Sequence, residues 1–484
     1  MQTLSQLKPE AIWKHFEELC KIPRPSKHEK GVIEYLKDFA IRKGLSYKID
    51  RVGNVLISKP AAKGREGHPT VVLQSHVDMV PQKNSDVEHD FYKDPIRPYI
   101  DGEWVKAQGT TLGADNGIGV ACALAVLESD NIMHGPIEAL FTVDEETGMT
   151  GAFNLTEDFV SGKILLNLDS EDYGELFIGC AGGINTIATF TYKPEPIEPG
   201  HVAYQLRLVG LKGGHSGADI HLGRGNANKL INRFLWNAEH FFGLRLCSIQ
   251  GGNMRNAIPR EAFATVTIPA AFEEEFLKSV ATFEQTYREE LKGVEENISF
   301  TAVKTEQPAF CIDKVTTGNL LDALYAIPNG VIRMIPEMPN VVETSTNLAI
   351  VQSNEQTHTI EVISLLRSSV DSAKLDLCNM IESIFDMAQA STRHEGDYPG
   401  WKPDFNSPLL ATMKKVYHDI HGEEPQVKVI HAGLECGIIG SIYPGMQMVS
   451  FGPTIQFPHS PDERVNIKTV EMFWNYLTRV LESL

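Results

Sequence analysis

Three adjacent carboxylates follow an apolar stretch of the chain. Residues Ile137 to Val143 are apolar, β-branched or aromatic for the most part, as in a buried strand, and Asp144, Glu145 and Glu146 come directly after them. Neighbouring carboxylates at the end of a buried strand repel one another unless a positive charge lies among them. The stretch therefore predicts either a solvated acidic loop or a site for a cation.

Four other positions place metal-ligand residue types beside the end of a predicted strand or the start of a predicted helix. They are His76 after the strand 71–75, Asp115 before the helix 120–127, Asp169 after the strand 164–168, and His459 after the strand 446–451. The first three have ordinary alternatives: a hydrogen-bonded core histidine, a helix N-cap and a strand-ending turn. Asp78 points the same way as His76 along an extended chain, so it can accept the second ring N–H of that histidine.

These positions supply two histidines and several carboxylates, a set of nitrogen and oxygen ligands that suits zinc, cobalt or manganese without a thiolate. In an open parallel sheet the carboxyl ends of the strands gather at one edge, where ligands bind. Such an edge can bring residues 76, 115, 146, 169 and 459 together despite their separation in the sequence. The pattern therefore predicts a cation site at the carboxyl edge of a sheet.

The elements that must position these residues alternate between strand and helix. Residues 1–186 and 400–484 predict an α/β domain with a mostly parallel sheet. Residues 187–399 predict an α+β lid domain inserted in the first, with long amphipathic helices between its strands. Those strands are predicted at 202–208, 262–268, 348–351 and 359–364. The polar segment 82–107 is predicted to be a long loop, and the Pro-, Gly- and aromatic-rich stretch 396–405 the return linker.

The composition is that of an ordinary soluble globular protein, and 484 residues give room for two or more domains. The formal net charge of −19 argues against general binding to nucleic acid or to an anionic membrane. The first residues lack the pattern of a signal peptide, and the longest near-apolar run, 119–127, is too short to cross a bilayer. Seven scattered cysteines are typical of reduced thiols, so we expect a cytoplasmic protein.

The order and spacing of the motifs resemble the M20 family of di-metal peptidases and acylases over essentially the whole chain. The matching motifs are His76-x-Asp78, Gly113-Ala-Asp115-Asn-Gly, Asp144-Glu145-Glu146-Thr-Gly148, Asp169 and Pro458-His459. Related tripeptidases and other dipeptidases tend to have Asp-Asp-Lys where this chain has Asp115-Asn116-Gly117. That difference favours the branch of the family that cleaves aminoacyl-histidine dipeptides.

The resemblance implies two divalent metal ions, zinc in the first place with cobalt or manganese as substitutes, and a role for each matched residue. Asp115 would bridge the two ions, which repel each other unless an anion lies between them. The other implied roles are His76 and Asp169 as ligands of one ion, Glu146 and His459 as ligands of the other, Glu145 as the general base for a metal-bridged hydroxide, and Asp78 as the group that orients His76.

Four further residues are candidates for contact with the substrate. His215 lies in a glycine-framed run that matches the family's lid histidine, which polarises the scissile carbonyl and stabilises the oxyanion. Asn256 lies in a run that resembles the family's Asn-x-Ile-Pro segment, and Gly433 in a glycine-rich run expected to line the pocket. Arg367 could clamp the C-terminal carboxylate of a dipeptide through a bidentate fork. The alternatives are an exposed turn histidine for His215 and a surface arginine for Arg367.

The resemblance therefore implies a metallodipeptidase that hydrolyses Xaa-His dipeptides, including β-alanyl-histidine (carnosine), and other unblocked dipeptides. Two alternatives stay open: an N-acyl-amino-acid amidohydrolase of the same fold, and a non-catalytic binding protein that retains the fold. Small dipeptides are the expected partners, without nucleic acid or membrane. Members of the family with a small lid dimerise through it, and the long inserted segment leaves both a monomer and a homodimer open. His431 and Glu435 are assigned structural roles.

Overall fold

The computed structural model describes residues 4–484, which contain both α-helices and β-strands. The α-helices are α1 Glu10–Cys20, α2 Lys30–Lys43, α3 Ala114–Glu128, α4 Glu145–Gly148, α5 Thr150–Phe153, α6 Ala227–Phe242, α7 Glu273–Glu290, α8 Lys314–Ala326, α9 Asp371–Met387, α10 Pro408–His421, α11 Glu435–Ile442 and α12 Ile467–Ser483. The strands are β1 Ser46–Ile49, β2 Val55–Lys59, β3 Val71–His76, β4 Pro98–Asp101, β5 Trp104–Ala107, β6 Ile137–Thr142, β7 Ile164–Asn167, β8 Glu175–Cys180, β9 Gly182–Thr191, β10 Pro194–Glu195, β11 His201–Val209, β12 Gly214–His215, β13 Arg245–Gly251, β14 Ala257–Ile258, β15 Ala262–Pro269, β16 Ser299–Lys304, β17 Cys311–Ile312, β18 Gly330–Ile335, β19 Met338–Asn354, β20 Thr359–Ser368, β21 Ser391–Tyr398, β22 Gln426–Ile430, β23 Gln447–Ser450, β24 Ile455–Gln456 and β25 Arg464–Asn466.

Two units divide the chain. Unit 1 consists of the residues up to 179 together with 401–429 and 434–484, and unit 2 consists of 180–400 and 430–433. The domain limits expected from the sequence, 187 and 399, stay a prediction.

Unit 1 is built on a mixed sheet of eight strands in the order β1-β2-β6-β3-β7-β23-β8-β22. Its four central strands, from β6 to β23, run parallel to one another, which confirms the predicted α/β character. The strands β1, β2 and β8 pair in antiparallel fashion, so the parallel part is limited to the centre of the sheet. Strands β3, β6 and β7 are buried along their whole length, which explains their continuous apolar sequences.

Helix α3 contains the longest apolar run of the sequence. Every residue from Asn116 to Leu127 is buried, and the helix contacts both α1 and strand β3. A helix that is apolar on all sides must be buried on all sides, and α3 is buried because it packs between other elements of unit 1. Across residues 4–484, none of the helices combines the length and the apolar character needed to span a bilayer.

Two of the predicted loops contain strands. The polar segment 82–107 ends in the hairpin β4–β5, which pairs with β25, so the prediction of a loop is wrong for residues 98–107. Its two-residue turn is Gly102-Glu103, with the glycine at φ 59° in the first turn position, and the polar composition of the segment masks this hairpin signal. The expected linker 396–405 overlaps β21, which pairs with β9. Most of β21 is solvent-exposed, so its sequence lacks the apolar alternation of a half-buried strand.

Unit 2 is an antiparallel sheet with helices packed on it. The strand order is β16-β11-β15-β13-β19-β20-β9-β21, and β18 pairs with β19. The core between sheet and helices includes Phe234 of α6, Phe276 of α7, Leu320 of α8 and Phe385 of α9. The α+β character predicted for this part of the chain is confirmed.

Candidate metal centre

The parallel strands of unit 1 deliver acidic and histidine side chains to one edge of the sheet. His76 is the last residue of β3, and Asp169 comes two residues after the end of β7. Glu145 and Glu146 open the short helix α4 after β6, with Asp144 in the left-handed region (φ 52°) making the turn between strand and helix. Because β6, β3 and β7 are parallel neighbours, their carboxyl ends meet at this edge.

Asp115 reaches the same place from the start of α3. Asp115 and Asn116 have non-helical backbone angles, and the peptide bond between them is cis. Gly113 precedes them with φ +70°, where a Cβ atom would lie 2.6 Å from Nη2 of Arg24, so the close approach requires glycine. The Asn116 side chain donates to the carbonyl oxygen of Leu168 (2.7 Å), which ties this turn to the segment that carries Asp169.

The Asp115 carboxylate lies between two groups of ligand atoms. Its Oδ1 lies 3.0 Å from Nε2 of His76, which is itself 3.4 Å from Oδ1 of Asp169. Its Oδ2 lies 3.3 Å from Nε2 of His459, which is 2.9 Å from Oε2 of Glu146. Each oxygen of one carboxylate thus faces a histidine and a further carboxylate, the arrangement that a bridging ligand between two cations needs.

The chemistry of this donor set fits divalent cations. Within each group, His76–Asp115–Asp169 and Asp115–Glu146–His459, the ligand atoms lie within 4.8 Å of one another. Oε1 of Glu146 is buried, and within residues 4–484 it has no hydrogen-bond donor. Buried carboxylate oxygens without a donor are costly unless a cation approaches them. Imidazole nitrogen and carboxylate oxygen are ligands that zinc, cobalt and manganese accept.

The electrostatics of the ligands indicate a surplus of negative charge. Hydrogen bonds that the His459 ring donates to the carboxylates of Asp115 and Glu146 raise the pKa of His459 to about 11. Burial acts to lower the pKa of His76, but Asp169, Asp115 and Asp78 outweigh it and raise that pKa well above its usual value. Contacts with both histidines outweigh burial and hold the pKa of Asp115 below its usual range. Both histidines therefore attract positive charge, as a proton or as a metal ion.

Asp78 holds both His76 and the helix that carries the glutamates. Its Oδ1 lies 3.3 Å from Nδ1 of His76 and accepts the backbone N–H of Glu145 (3.1 Å). Its Oδ2 accepts the backbone N–H of Glu146 (3.2 Å) and the hydroxyl of Ser26 (2.8 Å). Asp78 is fully buried, so these contacts replace the water that an ionised carboxylate would otherwise need. Asp78 therefore lies against the imidazole of His76 and binds the start of α4 at the same time.

Glu145 lies beside the ligand atoms without pairing to them. One of its oxygens lies within 4.8 Å of ligand atoms of His76 and Glu146. Burial raises the pKa of the Glu145 carboxyl well above its usual range; His76 opposes the rise, while the charges of Asp169 and Glu435 add to it. A carboxylate with a raised pKa is a better proton acceptor, which is the property that general base catalysis requires.

Arg24 is a buried cation that the sequence patterns did not indicate. From Nη1 it donates to the carbonyl oxygens of Val77 (2.9 Å) and Asp78 (3.0 Å), and from Nη2 to that of Gly113 (2.6 Å). It thereby joins the segment of His76 to the turn that leads to Asp115. A side chain that acts on backbone carbonyls leaves no spacing motif, and a lone arginine between Pro23 and Pro25 carries no signal.

Glu435 is also closer to the centre than its structural assignment suggested. It is buried at the start of α11 and accepts hydrogen bonds from Nε2 of Gln74 (2.7 Å) and from the hydroxyl of Thr142 (2.8 Å). Gln74 in turn accepts from the Asn167 side chain (2.5 Å), so a polar network crosses β6, β3 and β7 just beneath the ligand residues. Burial raises the pKa of Glu435 to about 7.

In unit 2, His215 is held as a neutral hydrogen-bond donor. Its Nδ1 accepts the backbone N–H groups of Gly217 (3.2 Å) and Ala218 (2.9 Å), so Nε2 must carry the proton. Burial and the charge of Arg367 lower the pKa of His215, which favours the neutral ring. A neutral imidazole with a fixed N–H suits hydrogen bonding to a developing oxyanion.

Two of the other candidates of unit 2, Arg367 and Asn256, contact Ser216, the residue after this histidine. Arg367 is buried, and it donates to the hydroxyls of Tyr398 (2.9 Å) and Ser216 (3.4 Å), so it is not the surface arginine of the alternative interpretation. The carbonyl oxygen of Asn256 accepts the N–H of Ser216 (2.9 Å), while the Asn256 residue is exposed. Gly433 follows His431, which is buried against the Ser345 hydroxyl (2.7 Å).

Fold and sequence together define a member of peptidase family M20/M25/M40: the model of that family matches residues 72–483, and the chain belongs to it. Its close relatives are dipeptidases. The chain is 47% identical over 485 residues to the cytosol non-specific dipeptidase of Escherichia coli K12, covering 100% of this chain and 99% of that protein. It is similar to the crystal structure of aminoacylhistidine dipeptidase from Vibrio alginolyticus, with a TM-score of 0.96 and 48% identity over 100% of this chain and 98% of that one. The aminopeptidase PepT of Bacillus cereus shares the fold at a TM-score of 0.61 and 18% identity, over 99% of both chains. The family predicted from the motifs is confirmed.

Proposed function

We propose that this M20 peptidase is a dipeptidase that works with two divalent cations, zinc in the first place with cobalt or manganese as substitutes. The observation that carries the proposal is the Asp115 carboxylate, with Oδ1 3.0 Å from His76 and Oδ2 3.3 Å from His459. His76 and Asp169 would hold one cation, Glu146 and His459 the other, and Asp115 both. When bound, such a pair lowers the pKa of water towards neutrality and polarises a carbonyl oxygen.

Glu145 performs the proton transfers in this proposal. It takes a proton from the water whose oxygen attacks the carbonyl carbon of the peptide bond, and later gives that proton to the amine nitrogen of the leaving group. The C–N bond then breaks into a carboxylate and an amine. Its raised pKa supports both steps, because the residue must first bind and then release a proton near neutral pH. Asp78 positions Glu145 through the backbone N–H that it accepts.

The candidates of unit 2 bind the substrate in this proposal. His215 donates its Nε2–H to the carbonyl oxygen, since Nδ1 is already occupied by backbone N–H groups. Arg367 binds the C-terminal carboxylate. Two of its five guanidinium N–H groups donate to Tyr398 and Ser216, and the remaining three are available to donate to the substrate carboxylate. Asn256 and Gly433 complete the contacts to the dipeptide.

The substrate class rests on the relatives, one of which is named as an aminoacylhistidine dipeptidase. We infer that Xaa-His dipeptides, carnosine and other unblocked dipeptides are hydrolysed. A cytoplasmic location is supported by a relative named as a cytosol enzyme and by seven cysteines that are scattered along the sequence without a Cys-x-x-Cys pair. Light scattering distinguishes the monomer from the homodimer.

One experiment tests the proposal against its alternatives. Protein loaded with Zn²⁺, and in parallel with Co²⁺ or Mn²⁺, is assayed on Ala-His, carnosine and N-acetyl amino acids while its metal content is measured. Release of histidine from Ala-His by protein with two metals per chain supports the dipeptidase. Hydrolysis of the N-acetyl amino acids alone would replace it with the amidohydrolase. Absence of all turnover in metal-loaded protein would leave only a binding function.

A further inference from the structure

Glu463 is a buried carboxylate that lies behind the proposed metal centre. Its Oε2 accepts the backbone N–H groups of Leu112 (2.7 Å) and Gly113 (2.9 Å), and its Oε1 accepts those of Ala114 (2.8 Å) and Asp115 (3.2 Å). The residue is 2% exposed. Four consecutive N–H groups, those of residues 112–115 in the turn that leads into α3, therefore converge on one side chain from a segment about 350 residues further along. An ionised carboxylate is favoured where several backbone N–H groups converge on it.

Glu463 also forms the end of the turn that follows His459. The backbone N–H of Glu463 donates to the carbonyl oxygen of Ser460 (3.0 Å), which makes a turn directly after His459. Phe457 and His459 both have left-handed backbone angles, with φ 56° and 59°. Non-glycine residues keep such angles only where the surroundings hold them, so this segment depends on its anchors. His459 itself is 54% exposed and gains little support from burial.

We propose that Glu463 is a positioning residue that couples Asp115 to His459 and thereby sets the cation affinity of the group Asp115–Glu146–His459. The inference rests on the proposed metal centre and adds a determinant to it. One carboxylate fixes the backbone of the bridging ligand through four N–H groups and, through its own backbone, the turn that presents His459. Loss of this link leaves both ligand side chains present but uncouples their positions.

The identity of the side chain matters because all four partners are donors. An ionised carboxylate offers lone pairs to each of them, whereas the amide nitrogen of a glutamine would bring N–H groups against N–H groups. Glu463→Gln thus keeps the volume and removes about half of the acceptors. Groups that orient metal ligands typically change metal affinity by about 10–100-fold when they are replaced. We expect a loss of that size in E463Q at one of the two sites.

The test compares Zn²⁺ binding by competition with a chromophoric chelator in the wild type, E463Q, H459A and E471Q. Glu471 is the matched control, since it is a surface glutamate on α12 paired with Lys468 (2.8 Å). H459A identifies the binding step that belongs to the His459 group. We expect E463Q to weaken that same step about 10–100-fold, with the other step changed much less and with E471Q equal to the wild type. An E463Q protein that binds both ions like the wild type overturns the inference, as does a loss confined to the other step.

Two further measurements keep the test decisive if E463Q does not fold. E463D retains the charge but is one methylene shorter, and we expect its loss at the His459 step to be smaller than that of E463Q. Hydrogen exchange on the metal-free wild type reports the four amides directly: slow exchange at residues 112–115 supports the link, and fast exchange there overturns it. A wild type that fails to bind two ions would instead count against the proposed function, which separates the two failures.

Discussion

Replacing Glu145 by glutamine removes one proton acceptor and changes little else. The glutamine has the same size, and the backbone N–H that anchors this residue to Asp78 is untouched. Nε2 of His76 and Nε2 of His459 both pair with Asp115, and the Glu145 side chain pairs with neither of them. Positioned acid–base catalysis contributes about 10²–10⁴-fold to a rate, which corresponds to about 3–5 kcal/mol of transition-state stabilisation. We expect E145Q to lose kcat by that factor with its metal content unchanged.

The assay is steady-state hydrolysis of Ala-His over a range of pH, with metal content measured on the same samples. Burial and neighbouring carboxylates raise the pKa of Glu145, so wild-type kcat/KM should fall on the acidic side as this group gains its proton. The remaining activity of E145Q should lack that acidic limb. The matched comparison is Glu146→Gln at the next position, which should lose metal. Turnover of E145Q within a few-fold of the wild type would refute the role of base, and loss of metal would place Glu145 among the ligands.

Three other outcomes follow from the same geometry. His215→Ala should lower kcat with metal content unchanged, measured by the same assay; loss of metal would make this residue a ligand. Arg367→Lys should raise KM for free dipeptides but not for dipeptide amides. An equal rise of KM for both would show that Arg367 does not bind the C-terminal carboxylate. Zn²⁺ binding near pH 7 should release protons, because His76 and His459 have raised pKa values and must bind as neutral rings. Calorimetry in buffers of different ionisation enthalpy measures the release, and no buffer dependence would contradict it.

The proposed ligand residues could be predicted from the sequence because each lies beside the end of a strand or the start of a helix. His76 and Asp169 come at the ends of β3 and β7, whose continuous apolar sequences mark them as central parallel strands. The rule that ligands gather at the carboxyl edge of such strands then places these residues together without any knowledge of distances. The direction of the edge strands could not be predicted in the same way. Strands β1 and β2 pair antiparallel, and periodicity within one strand does not reveal the direction of its neighbour.

The supporting residues could not be predicted because they act through the backbone. Arg24 binds three carbonyl oxygens and Glu463 four N–H groups, and neither kind of partner is encoded by a residue type. Their partners are also far away in the sequence, so no spacing connects them. Strand β21 was missed for a different reason, since it is largely exposed and its polar sequence resembles a linker.

The most direct measurement is an anomalous difference map from crystals soaked in Zn²⁺ and recorded at the zinc absorption edge. Two peaks are expected on either side of the Asp115 carboxylate, one next to His76 and Asp169 and the other next to Glu146 and His459. A single peak, or peaks away from Asp115, would contradict the proposed metal centre.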